Sequence, residues 1–250
     1  MSSRDDVNNL YKIPNILNGI EVGLFIIDFI AAVIALSGNQ QVVSVAIIIQ
    51  IVASLFYFII SVIDDGYFWY EAEKARRINS IENGLGIRLS ELETEGYYNN
   101  QIKESIEKYA LNVLESNYFS KFISGKMFLI SSVKSAIAVV VLVVSCRFMT
   151  DSSFLLIIAQ TTLSSYVLLD TVMLIIYKVR MDNLYKDGYK LLISPKLGIG
   201  GKKKTACILA YVVEYESIKA HYKIRLSEKK YNKYNDKLSD QWKHIQSHND

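Results

Sequence analysis

Four apolar runs decide what this chain can fold into: Leu17–Leu36, Val42–Ile63, Met127–Cys146 and Phe154–Tyr177. They hold 20, 22, 20 and 24 residues, and only four of the chain's 53 charged residues fall inside them: Glu21, Asp28, Lys134 and Asp170. At 1.5 Å of helical rise per residue, about 20 apolar residues match the ~30 Å hydrocarbon core of a bilayer. The expectation is an all-α membrane protein with four transmembrane helices, arranged as two hairpins with a cytoplasmic helical module. A secreted disulfide scaffold is excluded by two cysteines in 250 residues, and a compact soluble enzyme by the segregation of charge. The domain reading is an N-terminal segment 1–16, hairpin 17–63, a helical insert 64–126, hairpin 127–177 and a basic helical tail 178–250.

Lysine and arginine counts orient the spans. The connections Ser37–Gln41 and Arg147–Ser153 carry none and one, whereas Asp64–Lys126 carries eight and Lys178–Asp250 carries sixteen. Both termini, the insert and the tail are therefore expected on the cytoplasmic side. The first run is too long for a signal-peptide core and holds Glu21 and Asp28, so it reads as a retained span. With Cys146 and Cys207 on opposite sides of the membrane, no internal disulfide is expected.

The second run continues without a breaker through Tyr67–Ile78, until Asn83-Gly84 and Gly86 end it. Glu73 and Arg77 stand at i,i+4 on this extension. Ser90–Asn100 reads as a loop, and a separate helix is expected over roughly 101–122. In the tail, 180–192 extends the fourth span, Pro195–Gly201 reads as a loop capped by Lys202, Lys203 and Lys204, and a helix is expected from about Thr205 to Leu226. The insert is net −3 and the tail net +8, which suggests that the tail docks on the insert.

The ionisable residues inside the runs are the candidate site, since a charge in a spanning helix costs about 2.5–3.5 kcal/mol on insertion scales. Lys134 and Asp170 sit at matching depth on adjacent antiparallel helices, so an ion pair is expected between them. Asp28 and Gln50 both lie near the midplane, with Glu21 seven residues from Asp28 on the same face. Asp28 and Glu21 have no cation in their hairpin. They serve either as part of an ion path with Ser44, Ser54, Ser61, Gln160 and Ser164, or as interhelical glue. Arg76, Arg77 and Lys202–Lys204 are the candidates for binding a partner or anionic lipid.

No Ser/His/Asp or Cys/His order, no metal spacing around His221, His244 and His248, and no phosphate loop at Gly201-Lys202 can be found, so no enzyme activity, cofactor or metal is expected. The lysines lack interleaved aromatics, so direct nucleic-acid binding is not expected either. The aligned Tyr211, Tyr215 and Tyr222 read as packing.

The segments Glu214-Tyr-Glu-Ser-Ile-Lys-Ala220, Ile224-Arg-Leu-Ser-Glu-Lys-Lys-Tyr231 and Leu238-Ser-Asp-Gln-Trp242 resemble the closing pattern of bacterial SMODS-associating four-transmembrane effectors. Ala72-Glu-Lys-Ala-Arg-Arg77 after the second run is similar to that family's stalk, and the order hairpin, insert, hairpin, tail fits it. The motifs Gly96-Tyr-Tyr-Asn-Asn100 and Glu115-Ser-Asn-Tyr-Phe119 read as features of a subgroup. The resemblance implies an inner-membrane effector of anti-phage defence that oligomerises and permeabilises the membrane. Its partner would be a cytoplasmic sensor or a nucleotide-signal synthase encoded nearby, a cyclase or, in retron-like systems, a reverse transcriptase with its RNA. A membrane anchor for a cytosolic enzyme and a small ion channel are the alternatives.

Overall fold

The computed structural model describes residues 5–35, 39–92, 94, 97–99, 102–147, 154–194 and 200–247; at 141–142, 144–147 and 154–167 it describes the backbone alone. These residues are helical apart from short connections and one isolated bridge between Asp5 and Thr94. In order they form α1 (Asp6–Leu10), α2 (Lys12–Ile34), α3 (Gln40–Ile63), a π-helical turn (Asp64–Phe68) and α4 (Trp69–Leu85). Then follow α5 (Ile106–Arg147), α6 (Phe154–Gly188), a second π-helical turn (Tyr189–Ile193), α7 (Gly201–Tyr222) and α8 (Glu228–Ser247). Among the described residues three helical stretches are long and apolar enough to cross a membrane: Asp6–Ile34, Gln40–Leu85 and Ile106–Val140.

Local chemistry accounts for most helix ends. Asn39 caps α3, its side-chain oxygen accepting from the N–H of Gln41 at 3.0 Å and of Val42 at 3.4 Å. Helix then runs from Gln40 to Leu85 through the π turn, where Trp69 N–H donates to Asp64 O; the one extra residue is absorbed without a break. Gly86 stops it at φ +68°, a left-handed conformation that glycine enters without steric cost. Glu82 accepts from the Leu89 and Ser90 N–H groups and folds the chain back onto the helix end.

Two helices begin elsewhere than the sequence suggests. No separate helix covers 101–122: α5 starts at Ile106, where the Ser105 hydroxyl accepts the Lys108 N–H at 3.2 Å. It then continues unbroken to Arg147 because nothing between 122 and 127 stops a helix. Lys202–Lys204 lie in the first turn of α7 instead of capping a loop, and α7 ends at Tyr222, with Lys223 left-handed at φ 47°. Residues 195–199 fall outside the described set.

The chain divides into two compact units. The first comprises Met1–Asn9, Glu73–Leu129 and Met173–Asp250. Its core is large and aromatic: Tyr109, Leu114, Met181, Leu184, Tyr211, Tyr215 and Trp242 pack together, and Phe119, Ile123 and Leu238 form a smaller cluster. Helices come very close here. A Cβ on Gly84 would stand 2.5 Å from the Tyr109 Cβ, and one on Gly188 2.5 Å from the Tyr211 ring. The insert and tail meet as the charge balance suggests, but with both polarities: Lys219 pairs with Glu73 at 2.7 Å and Lys204 with Glu107 at 3.5 Å, while Arg77 of α4 reaches Glu216 of α7 at 2.5 Å. Glu73 and Arg77, set at i,i+4 on α4, thus both reach charged partners on α7.

The second unit comprises Leu10–Ala72 and Ile130–Val172. Here α2 and α3 pack along each other, and apart from Ile47 what they bury is chiefly small or polar: Ala31, Ala35, Ala46, Ala53, Asp28 and Gln50. Their large aliphatic side chains face outward, among them Ile16, Ile30, Ile48 and Leu55. An open apolar groove of ≈ 560 Å³ runs between Ile27, Ile30 and Ile34 of α2 and Val42, Val45 and Ile49 of α3.

Candidate functional site

The polar residues of α2 and α3 converge. Asp28 is 5% exposed and Gln50 fully buried. The Ser54 hydroxyl donates to Asp28 Oδ2 at 2.8 Å. Asp28 lies about two turns, ~10 Å, along α2 from Glu21, and on the same buried side, since Glu21 is 8% exposed. The Gln50 side chain reaches the Asp28 carboxyl, yet neither of its amide atoms closes a hydrogen bond, and Asp28 Oδ1 has none. Glu21, by contrast, is engaged in a polar interaction inside the protein. Helix periodicity explains the arrangement. Residues 21 and 28, and on the partner 50 and 54, repeat at intervals that keep one face turned to the neighbouring helix.

The remaining candidates are placed differently. Ser44 only donates back to the Gln40 carbonyl at 3.0 Å, and Ser61 is half-buried. The side chains of Gln160 and Ser164 lie outside the described residues. Lys134 and Asp170 are both exposed, and among the described residues no ion pair joins them. Their neighbours meet instead: Ser135 Oγ donates to Thr171 Oγ1 at 2.6 Å, and Thr171 Oγ1 donates to the Ser131 carbonyl at 3.2 Å. Depth matching was sound, but adjacent residues on a helix point about 100° apart. With Ser131, Ser135 and Thr171 at the contact, Lys134 and Asp170 lie beside it, near enough for each to feel the other's charge without closing an ion pair.

Arg76 and Arg77 are turned inward. Arg76 binds the Asp5 carboxylate at 3.2 Å and lies 4.3 Å from the centroid of the Tyr97 ring, while Arg77 holds Glu216. Lys202 and Lys203 stay exposed.

A polar centre in the first unit escapes the sequence reading. Glu115 of α5 is 4% exposed. It accepts from Asn99 twice, from the backbone N–H at 3.1 Å and from the side-chain amide at 2.6 Å. Asn99 also donates to Ser239 Oγ at 3.4 Å, and the Trp242 indole of α8 lies near the carboxyl without closing a hydrogen bond to it. Burial pushes the Glu115 carboxyl up to about 7, against the opposing pull of the Asn99 donors, the nearby Trp242 indole and the Lys243 charge. The signal available in the sequence was a carboxylate at a core position of α5, one residue after Leu114. The two quoted motifs around Tyr97 and Glu115 thus meet in one network with α8.

Among the described residues no group of three His, Cys, Asp or Glu side chains converges as a metal site would. Comparison with protein-family models, with curated proteins and with solved structures finds no match to this chain.

Proposed function

We propose that this chain is a multi-pass effector of the bacterial inner membrane, with four spans in two hairpins and both termini cytoplasmic, that assembles with copies of itself and permeabilises the membrane during phage infection. The observation that carries the reading is the buried Asp28–Ser54–Gln50 cluster inside helices whose exteriors are aliphatic. A carboxylate is an expensive group to keep between two spanning helices unless it serves a path or a switch. The Lys/Arg excess of the insert and tail supports the orientation, and the closing motifs of the tail support the defence role by resemblance. In this reading the interlocked first unit is the part that answers a cytoplasmic sensor or signal synthase encoded beside it.

The test is membrane potential in infected cells expressing the chain with its neighbouring genes. Depolarisation before lysis is the expected outcome, weakened at least tenfold in Asp28→Asn; a normal potential throughout infection rejects the reading. A second reading, an anchor that holds a cytosolic partner enzyme, draws on the insert–tail contacts Arg77–Glu216 and Lys219–Glu73. It expects Asp28→Asn to leave defence intact while Trp242→Ala abolishes it.

A further inference from the structure

We infer that the Asp28–Ser54–Gln50 cluster is a proton-binding site within the membrane-spanning part of the chain, and that a proton, not a metal cation, is its ligand. The inference rests on reading α2 and α3 as spanning helices, but not on the chain's role in defence.

The unfilled atoms define the ligand. Asp28 Oδ2 already accepts from Ser54 Oγ at 2.8 Å. Asp28 Oδ1 is buried with no donor, and Gln50, fully buried beside it, has both its oxygen and its nitrogen unfilled. A proton placed on Oδ1 changes that oxygen from an acceptor to a donor, and the Gln50 side chain beside it carries an unfilled oxygen that can accept. The same proton removes the net charge, which is what makes a carboxyl tolerable between two apolar helices. The other charged side chains that this unit carries inside its apolar runs are Glu21, Lys134 and Asp170. Glu21 is on the same buried side of α2 and has a polar interaction of its own, and Lys134 and Asp170 are exposed. Among the described residues, neither the π turn's Asp64 and Asp65 nor any lysine or arginine contributes a bond to Asp28, whose side-chain neighbours are Ser54 and Gln50.

A metal cation needs more than the cluster offers. Hard cations take six or more oxygens, and transporters supply them by unwinding helices so that backbone carbonyls turn inward. Here α2 and α3 are unbroken at positions 28, 50 and 54, so their carbonyls are engaged along the helix. Three side chains remain, one carboxyl, one hydroxyl and one amide. That set suits a proton, which requires one acceptor and a hydrogen-bonding neighbour.

The experiment is infrared spectroscopy of the full chain in lipid vesicles at neutral pH, comparing the carboxylic-acid C=O stretch with that of Asp28→Asn. The expected result is loss of one acid band in Asp28→Asn, and a band shifted but retained in Asp28→Glu. Ser54→Ala removes the donor to Oδ2 and should move the band to higher frequency. Identical acid bands in wild type and Asp28→Asn overturn the inference, as does a wild-type band that disappears when sodium replaces potassium in the buffer. Tyrosine and tryptophan fluorescence of the same vesicles verifies that each variant is folded. Leakage of a trapped dye is read in parallel: an Asp28 band without leakage leaves the site standing and counts against permeabilisation, whereas leakage without the band does the reverse.

Discussion

The two units bury opposite kinds of side chain. In the first, Trp242, Leu114, Met181 and Tyr215 are inside, and exposed positions of α7 and α8 carry lysines such as Lys203 and Lys233. In the second, Ala46, Ala53 and Gln50 are inside, while Ile48 at 62% and Leu169 at 61% exposure are outside. A helix surface of that kind is at home against hydrocarbon, where burying aliphatic area in protein brings no hydrophobic gain and close packing favours small residues. The contrast teaches that one chain uses two rules for its interior, and each rule can be attacked separately.

The largest effect should come from the aromatic core. Trp242→Ala removes a fully buried indole and should cost about 3–5 kcal/mol, seen as lost hydrogen-exchange protection of α8 in detergent. Gly84→Ala, which drives a methyl into Tyr109, should unfold the same unit with no loss of polar contact. Next, Ile48→Lys places a charge on the outer face of α3 and should lower membrane insertion by about 2.5–3.5 kcal/mol in a glycosylation-mapping assay. An insertion yield equal to that of the parent would break the contrast, because on a water-facing helix the change is neutral.

The pH dependence of the first unit follows from Glu115. Its carboxyl is raised from 4.5 to about 7, so the folded state holds the proton more tightly than the unfolded chain does. The stabilisation is complete below pH 4.5 and is lost as pH rises through 7. The size is up to about 3 kcal/mol, and Glu115→Gln should flatten that part of the profile in denaturant melts. The smallest effect is electrostatic. A double-mutant cycle on Arg77 and Glu216, each 26% exposed, should give a coupling of about 1 kcal/mol that shrinks with salt.

Features that depend on local chemistry could be read from the letters. The run of helix from the second span into α4 needed only the absence of a breaker, and its end needed only Gly86. Depth also transferred, since Lys134 and Asp170 do lie beside a matched pair, Ser135 and Thr171. The azimuth did not transfer, because apolar runs without a polar face carry no phase, and a single-residue rotation exchanges one contact for another. The Glu115 centre was hidden for a different reason. Asn99 and Ser239 lie far from it in sequence, and no periodicity links a loop residue to a helix of the tail.

Ala35 and Ala46 cluster with Ile47 at the α2–α3 contact, and the two alanines help to set the clearance on which the carboxyl chemistry depends. A 2.8 Å bond from Ser54 to Asp28 forms only if the two helix axes stay close, and a bulky side chain in place of either alanine would wedge them apart. Residues with no functional group of their own therefore decide whether Asp28 meets a hydroxyl or a lipid tail. Variation at those alanines would act as a tuning screw on the acid, altering its behaviour while leaving every polar letter of the cluster in place.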